Sequence, residues 1–167
     1  YRSTIGREPR PLFAKGIAAV DASELAPGQA IEIGFGDGRE TLALLEDGWR
    51  VLAIDPAPAA AEVLQSQVPA AAAGRLDIRS LPAEDADLPP FDLLYAGYSL
   101  PFLDADAFDR FWNAARGRLR AGGILVVNFF GPRDSWAGRE GMRFIDVETV
   151  RRLVDGLELL ALDEEDQ

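Results

Sequence analysis

The residues best suited to chemistry in this chain are acids gathered around a glycine loop. The stretch "IEIGFGDGRE", Ile31 to Glu40, places Gly34, Gly36 and Gly38 at alternate positions after an apolar run whose one acid is Glu32. Glycines at this spacing let the chain turn tightly, take up positive φ and bring backbone N–H groups close to a ligand. A dinucleotide fingerprint has the spacing G-x-G-x-x-G, which leaves room for a pyrophosphate at a helix N-terminus. Here the spacing is G-x-G-x-G, with Asp37 inside the loop and Glu32 two residues before it. Acids so placed repel a pyrophosphate and suit a cationic group such as an ammonium. Asp55 ends "RVLAID", about twenty residues beyond the loop, where a carboxylate accepts hydrogen bonds from both hydroxyls of a ribose. The blander alternatives are an ordinary tight turn for the loop and, for Asp55 before Pro56, a turn-capping carboxylate.

Together the loop and Asp55 suit a nucleoside that carries an amino-acid tail in place of phosphates, a description that S-adenosylmethionine fits. Composition narrows the field further. With 28 acidic against 17 basic side chains the formal net charge is −11, so unspecific affinity for nucleic acid or anionic lipid is not expected. A small-molecule partner is the better match. Cysteine and histidine are both absent, which removes disulfides, thiolate nucleophiles, Ser-His pairs and the commonest zinc ligands; no metal site is expected. The sequence has no apolar run of spanning length and no basic start followed by a hydrophobic block, so a soluble, cytoplasmic protein is expected.

The elements that must position these residues follow from periodicity. "REPRPLFAKGIAAVDA" predicts a helix within residues 8–22, with Leu12, Phe13, Ile17 and Val20 at helical spacing. "AIEIG" predicts a strand, and "RETLALLEDGW" a helix with Leu42, Leu45 and Trp49 on one face, stopped at Gly48. "RVLAID" reads as a strand, "AAAEVLQSQV" as a helix, and "RLDIRS" and "FDLLYAG" as two more strands. "DADAFDRFWNAARGRLR" opens with candidate caps at Asp104 and Asp106 and lines up Phe108, Phe111, Trp112, Ala115 and Leu119 as core. "GGILVVNFFG" is the strongest strand signal, "DVETVRRLVDGL" predicts a helix with Val147, Val150, Leu153 and Val154 inward, and "LELLALDEED" reads as a last strand. Apolar strands separated by helices indicate a mostly parallel, doubly wound α/β sheet, and residues 1–167 read as one domain.

In this order and spacing, "IEIGFGDG", "VLAIDPAPAA", "LPAEDADLPPFDLLYAGYSLPF" and "LRAGGILVVNFFG" resemble the successive motifs of class I S-adenosylmethionine-dependent methyltransferases, over about Pro27 to Gly131. "YSLPF" and "FFGPRDSW" are similar to the tellurite-resistance-like small-molecule subgroup. The resemblance implies a Rossmann-like sheet with helices on both faces. It also implies that Glu32 and the loop Gly34, Phe35, Gly36 and Gly38 hold the methionine end, that Asp55 and Pro56 hold the ribose, and that Ala83, Glu84 and Asp85 flank the adenine. Pro82 stands where many members carry an Asp, which leaves the adenine contact to Glu84 or Asp85, unless that acidic loop is simply solvated. Members usually end with an antiparallel strand inserted between the last two. The given sequence stops after "LELLALDEEDQ", so that strand is expected either beyond Gln167 or from a neighbouring molecule.

Methyl transfer is an in-line displacement at a carbon bearing a sulfonium leaving group, so alignment and exclusion of water matter more than a strong base. A chain without His or Cys can do this, whereas it would make an awkward hydrolase. Residues beyond the C-terminal end of the fourth strand should face the methyl group, which makes Tyr98 and Ser99 the catalytic candidates and Phe102 an apolar wall. Phe130, Arg133, Trp136 and Arg139 offer a second wall, although surface arginines balancing an acidic chain are the commoner case. Tyr1 and Arg7 belong to an N-terminal segment that would serve as a lid. Two rival functions are weighed: an NAD(P)-dependent oxidoreductase, weakened by the glycine spacing, and a non-catalytic nucleoside-binding module.

Overall fold

The structure is a computed structural model that describes residues 8–165. Helix α1, Pro11–Ala22, starts on a proline at its first position, where the missing N–H costs nothing and φ is preset. Strand β1, Gln29–Ile33, leads through the glycine loop into α2, Arg39–Glu46. Gly48 at φ 93 turns the chain back after α2, and Trp49 N–H closes onto Leu44 O at 3.0 Å. Strand β2 (Arg50–Ile54), helix α3 (Pro58–Gln67) and strand β3 (Leu76–Arg79) follow, then β4 (Phe91–Ala96), α4 (Ala105–Arg118), β5 (Leu119–Val127) and α5 (Val147–Leu153). Asp104 caps α4 by accepting from Ala107 N–H at 2.8 Å, the role expected of it.

The sheet has the order β3-β2-β1-β4-β5, and every pair in it is parallel. The chain winds outward from β1 to β3, returns to β4 on the other side of β1, and winds outward again. The order therefore reverses between β1 and β4, the place where open α/β sheets bind ligands beyond the carboxyl ends of their strands. Alternate strand residues feed two cores. Ala30, Val51, Ala53, Leu93 and Tyr95 meet Phe13 and Val20 of α1, Leu44 and Leu45 of α2 and Leu64 of α3. Ile31, Ile33, Leu52, Ile54 and Leu94 meet Phe108, Phe111, Trp112 and Ala115 of α4 on the other face. Burial on both faces explains why the central strands are apolar nearly throughout.

Four sequence expectations are corrected. The face of α2 that is buried carries Glu40, Thr41, Leu44 and Leu45; Leu42 is only partly buried and Trp49 lies past the helix end. Leu119 opens β5 instead of closing α4. The strand β5 ends at Val127, and Phe130 beyond it makes only an isolated bridge to Phe144. "LELLALDEED" is not a strand over its described residues, 157–165: among these none pairs in a sheet, and Leu159 and Leu160 are both exposed. Its acids pair elsewhere, Asp163 and Glu165 with Lys15 on α1 at 3.0 and 3.4 Å. A run of alternating apolar residues becomes a strand only where a sheet edge accepts its ladder. All five strands among the described residues are parallel.

Candidate active site

The glycine loop sits where β1 delivers it, at the carboxyl end of the central strand. Gly34, Gly36 and Gly38 have φ of 73, 55 and 79, a region open to glycine and strained for other residues. Space is also short. A Cβ on Gly34 would lie 2.7 Å from the Ser99 Cβ, and one on Gly38 would collide with the Leu64 side chain. Gly34 N–H donates to Ile54 O at 2.7 Å, which carries the β1–β2 pairing one residue into the loop. Phe35, 1 % exposed, anchors the loop in the core.

Asp55 comes off the end of β2 directly beside this loop. One carboxylate oxygen accepts from Gly36 N–H at 3.0 Å and the other from Ala57 N–H at 2.9 Å. A carboxylate offers about four acceptor positions, so Asp55 shapes the loop and keeps capacity for a further donor on each oxygen. Pro56 next to it is exposed.

Glu32 lies beneath the loop. Strand alternation turns it to the face that packs on α2, where it is 1 % exposed and accepts a hydrogen bond from the Thr41 hydroxyl. Burial pushes its carboxyl up to about 8, against the lowering effect of Thr41 and with help from neighbouring Glu40. Glu40, also 1 % exposed, accepts from Arg10 twice on one oxygen, from the backbone N–H at 3.1 Å and from the guanidinium at 3.3 Å. Its other oxygen and the Tyr95 hydroxyl are buried without a hydrogen-bond partner among the described residues. Burial, reinforced by Glu40, raises the Tyr95 phenol above its ordinary value, so this residue stays neutral. Arg10 thus ties the segment before α1 to the first turn of α2, and its guanidinium also lies 5.7 Å from the centre of the Tyr98 ring.

The acidic loop after β3 forms a short 3-10 turn, Ala83–Asp85. Ala83 is buried, Asp85 is exposed, and Glu84 lies between these extremes with its Oε2 buried and unpartnered among the described residues. The structure thereby separates two acids that sequence left equivalent.

At the end of β4, Tyr98 takes φ 60, one of two non-glycine residues with positive φ among those described. Its N–H donates to Asn128 Oδ1 at 2.6 Å, which fixes this strained turn from the neighbouring strand end. Ser99 donates its hydroxyl to Ile33 O at 2.8 Å, stitching β4 to β1 across the switch point. Outward from Tyr98 the rings continue: Phe130 at 6.2 Å, then Phe102 and Trp136 at 6.4 and 5.8 Å from Phe130. Arg139 stacks on Trp136 at 4.7 Å, and Arg133 pairs with Glu164 at 3.7 Å. Tyr1 and Arg7, the expected lid, lie outside the described residues. Two grooves, of about 420 and 240 Å³, lie away from this site, along α1 and between α3 and β3.

Sequence reasoning brings together Glu32, the glycines, Asp55, Tyr98 and Ser99, all at the carboxyl ends of β1, β2 and β4. It misses Arg10, Glu40, Thr41 and Asn128. Asn128 had a signal, a lone amide ending the apolar run "ILVV"; the other three read as ordinary helix-terminal polar residues.

Comparison with known proteins gives a consistent answer. No curated protein matches the chain. The fold is similar to that of TehB from Haemophilus influenzae, with a TM-score of 0.74 at 13% identity over 91% of this chain and 53% of that one. It is also similar to the glycopeptide N-methyltransferase MtfA, with a TM-score of 0.60 at 18% identity over 72% of this chain and 54% of that one. A third similar structure is an S-adenosylmethionine-dependent methyltransferase from Clostridium acetobutylicum ATCC 824, with a TM-score of 0.61 at 16% identity over 78% and 53%. MtfA has been solved in complex with S-adenosyl-L-methionine and with S-adenosyl-L-homocysteine. The chain spans about half the length of these solved structures. A family model described as a methyltransferase domain matches residues 31–127, from the middle of β1 to the end of β5, and the chain therefore belongs to the methyltransferase-domain family, with the class I fold.

Proposed function

We propose that residues 1–167 act as one domain that transfers a methyl group from S-adenosylmethionine to a small-molecule acceptor. The observation that carries this reading is Asp55: a buried carboxylate, 3.0 Å from the loop's Gly36 N–H, with an unfilled acceptor position on each oxygen, at the switch point of the sheet. Two adjacent ribose hydroxyls match that pair of positions, and Pro56 closes the turn beside them. The residues fit the rest of the cofactor too. Glu84 Oε2, buried and unpartnered among the described residues, suits the exocyclic amine of adenine, with Ala83 packing on the ring and Asp85 at the rim.

The loop Gly34, Phe35, Gly36 and Gly38 takes the methionine end by close backbone approach. Glu32 acts on it from beneath: an ammonium above the loop favours the ionised carboxylate, and Thr41 holds that carboxylate in place. Held by these residues, the cofactor would supply an electrophilic methyl group on a sulfonium leaving group. Tyr98, held at positive φ by Asn128, faces the methyl position, while Ser99 fixes the distance between β4 and the loop. No member of this set is a strong base, so an acceptor that arrives deprotonated or with a free lone pair suits the site.

Support comes from the family membership and from the cofactor complexes of MtfA. A nicotinamide enzyme is disfavoured because Asp37, partly exposed within the loop, stands beside the place a pyrophosphate would occupy. Titration calorimetry with S-adenosylhomocysteine and, separately, with NADH decides between them. Binding of the first and not the second is expected. Asp55→Ala should weaken it by roughly 1.5–3 kcal/mol. Asp55→Asn, which keeps an acceptor for Gly36 N–H, should also weaken it, and unchanged affinity in both variants would remove the ribose from this position.

A further inference from the structure

The acceptor side of the site has a chemistry of its own. Among the described residues the exposed large hydrophobic side chains are Phe102 at 53 %, Trp136 at 39 %, Leu159 and Leu160. The two aromatic ones flank the same buried ring. Phe102 meets Phe130 with an interplanar angle of 73°, Trp136 meets it at 80°, and Phe144 stacks on it at 28°. Phe130 in turn lies 6.2 Å from the ring of Tyr98, the residue proposed to face the methyl group. A continuous run of rings thus starts at the reacting end of β4 and ends in two rings that still face solvent. Aromatic surface left open beside a polar site is the usual wall of a ligand pocket, because a second ring recovers both the buried area and the edge or face contact.

The charge at the outer end is equally particular. This chain carries a net −11, and the arginines of the segment after β5 mostly find carboxylates: Arg133 has Glu164 and Arg143 has Asp109, both at 3.7 Å. Arg139 has none among the described residues; its Cζ lies over the Trp136 ring, 4.7 Å from the ring centre. Stacking leaves the in-plane N–H donors of a guanidinium free for a planar anion.

We propose that the methyl acceptor is an aromatic acid, its ring against Phe102 and Trp136 and its anionic group on Arg139, so that a nucleophilic atom at the other end of the ring points along Tyr98 toward the methyl group. This rests on the methyl-transfer reading for its orientation, but the wall can be tested without turnover. Trp49 and Trp112 are 2 % and 4 % exposed, so ligand quenching of tryptophan fluorescence reports chiefly on Trp136. The probe is 4-hydroxybenzoate, with cyclohexanecarboxylate and benzylamine as controls for the ring and for the charge, on the full chain with and without saturating S-adenosylhomocysteine.

Saturable quenching by 4-hydroxybenzoate is expected, with both controls at least about tenfold weaker, the scale of a lost stacking pair or charge-assisted hydrogen bond. Arg139→Gln should weaken 4-hydroxybenzoate by about five- to twentyfold and leave benzylamine and S-adenosylhomocysteine unchanged. Trp136→Phe should abolish the signal while calorimetry still detects the acid. Equal affinity for the three probes, or indifference to Arg139→Gln, would overturn the proposal, as would quenching that follows protein concentration and self-association instead of ligand. If S-adenosylhomocysteine fails to bind while 4-hydroxybenzoate still quenches Trp136, the methyl-transfer reading falls and the acid-binding wall stands.

Discussion

The loop after β1 and the segment after β5 border the same candidate site and are built in opposite ways. In the first, backbone does the work: three glycines at positive φ, N–H groups committed to Ile54 O and Asp55, and a buried support of Glu32, Thr41 and Glu40 that the half-exposed Arg10 closes from outside. In the second, side chains do it: rings around Phe130 and arginines on an irregular chain whose residues are largely exposed. A ligand common to a whole family can be held by backbone, since its shape does not change from one member to the next. Acceptor choice is better left to side chains that substitute freely on a surface segment.

Glycine substitution gives the largest test of this contrast. Gly34→Ala meets both positive φ and Ser99, and should cost about 2–5 kcal/mol in urea unfolding, the sum of backbone strain and overpacking. Gly131→Ala, where nothing lies within 4 Å of a Cβ, should stay within about 0.5 kcal/mol. A similar cost at both positions would erase the distinction between the two regions.

A pH titration of stability probes the buried support. Below pH 4.5, the ordinary value, Glu32 is protonated in both states; between there and about 8 the unfolded chain releases its proton while the native one keeps it. Native stability conferred on the wild type must therefore fall as pH rises through that window, by up to about 1.4 kcal/mol per pH unit from this residue. Glu32→Gln should lack that slope and gain on the wild type from pH 5 to 8 in parallel denaturant curves. Parallel pH dependence in the two proteins would mean that Glu32 is ionised in the native state. Smaller again is Asp104→Ala, which removes the α4 cap and should cost about 1 kcal/mol, with cofactor affinity unchanged because α4 packs on the sheet face opposite α2.

Legibility in the sequence followed the same divide. Gly34, Gly36, Gly38 and Asp55 could be named as a site because the spacing itself encodes the turn and the distance along the next strand. The core of α4 was equally open to reading: Phe108, Phe111, Trp112 and Ala115 repeat at helical spacing and all are buried. The face of α2 was misread, since its first turn is buried by Arg10, thirty residues earlier in the chain, which no local period reveals. "LELLALDEED" was misread for a related reason. Its alternation is compatible with a strand, but a strand needs a partner, and its Asp163 and Glu165 meet Lys15 on α1 instead.

Local pattern therefore determined the strand-and-helix alternation, the parallel class of the sheet and the glycine loop with its partner acid, because each depends on residues close in sequence. Tertiary structure alone decided that Glu32 faces inward to Thr41, that Glu84 and not Asp85 keeps a buried free oxygen, and that Ser99 spends its hydroxyl on Ile33. Those outcomes depend on which side of the sheet a strand residue turns to and on what another element places there, and long-range packing sets both.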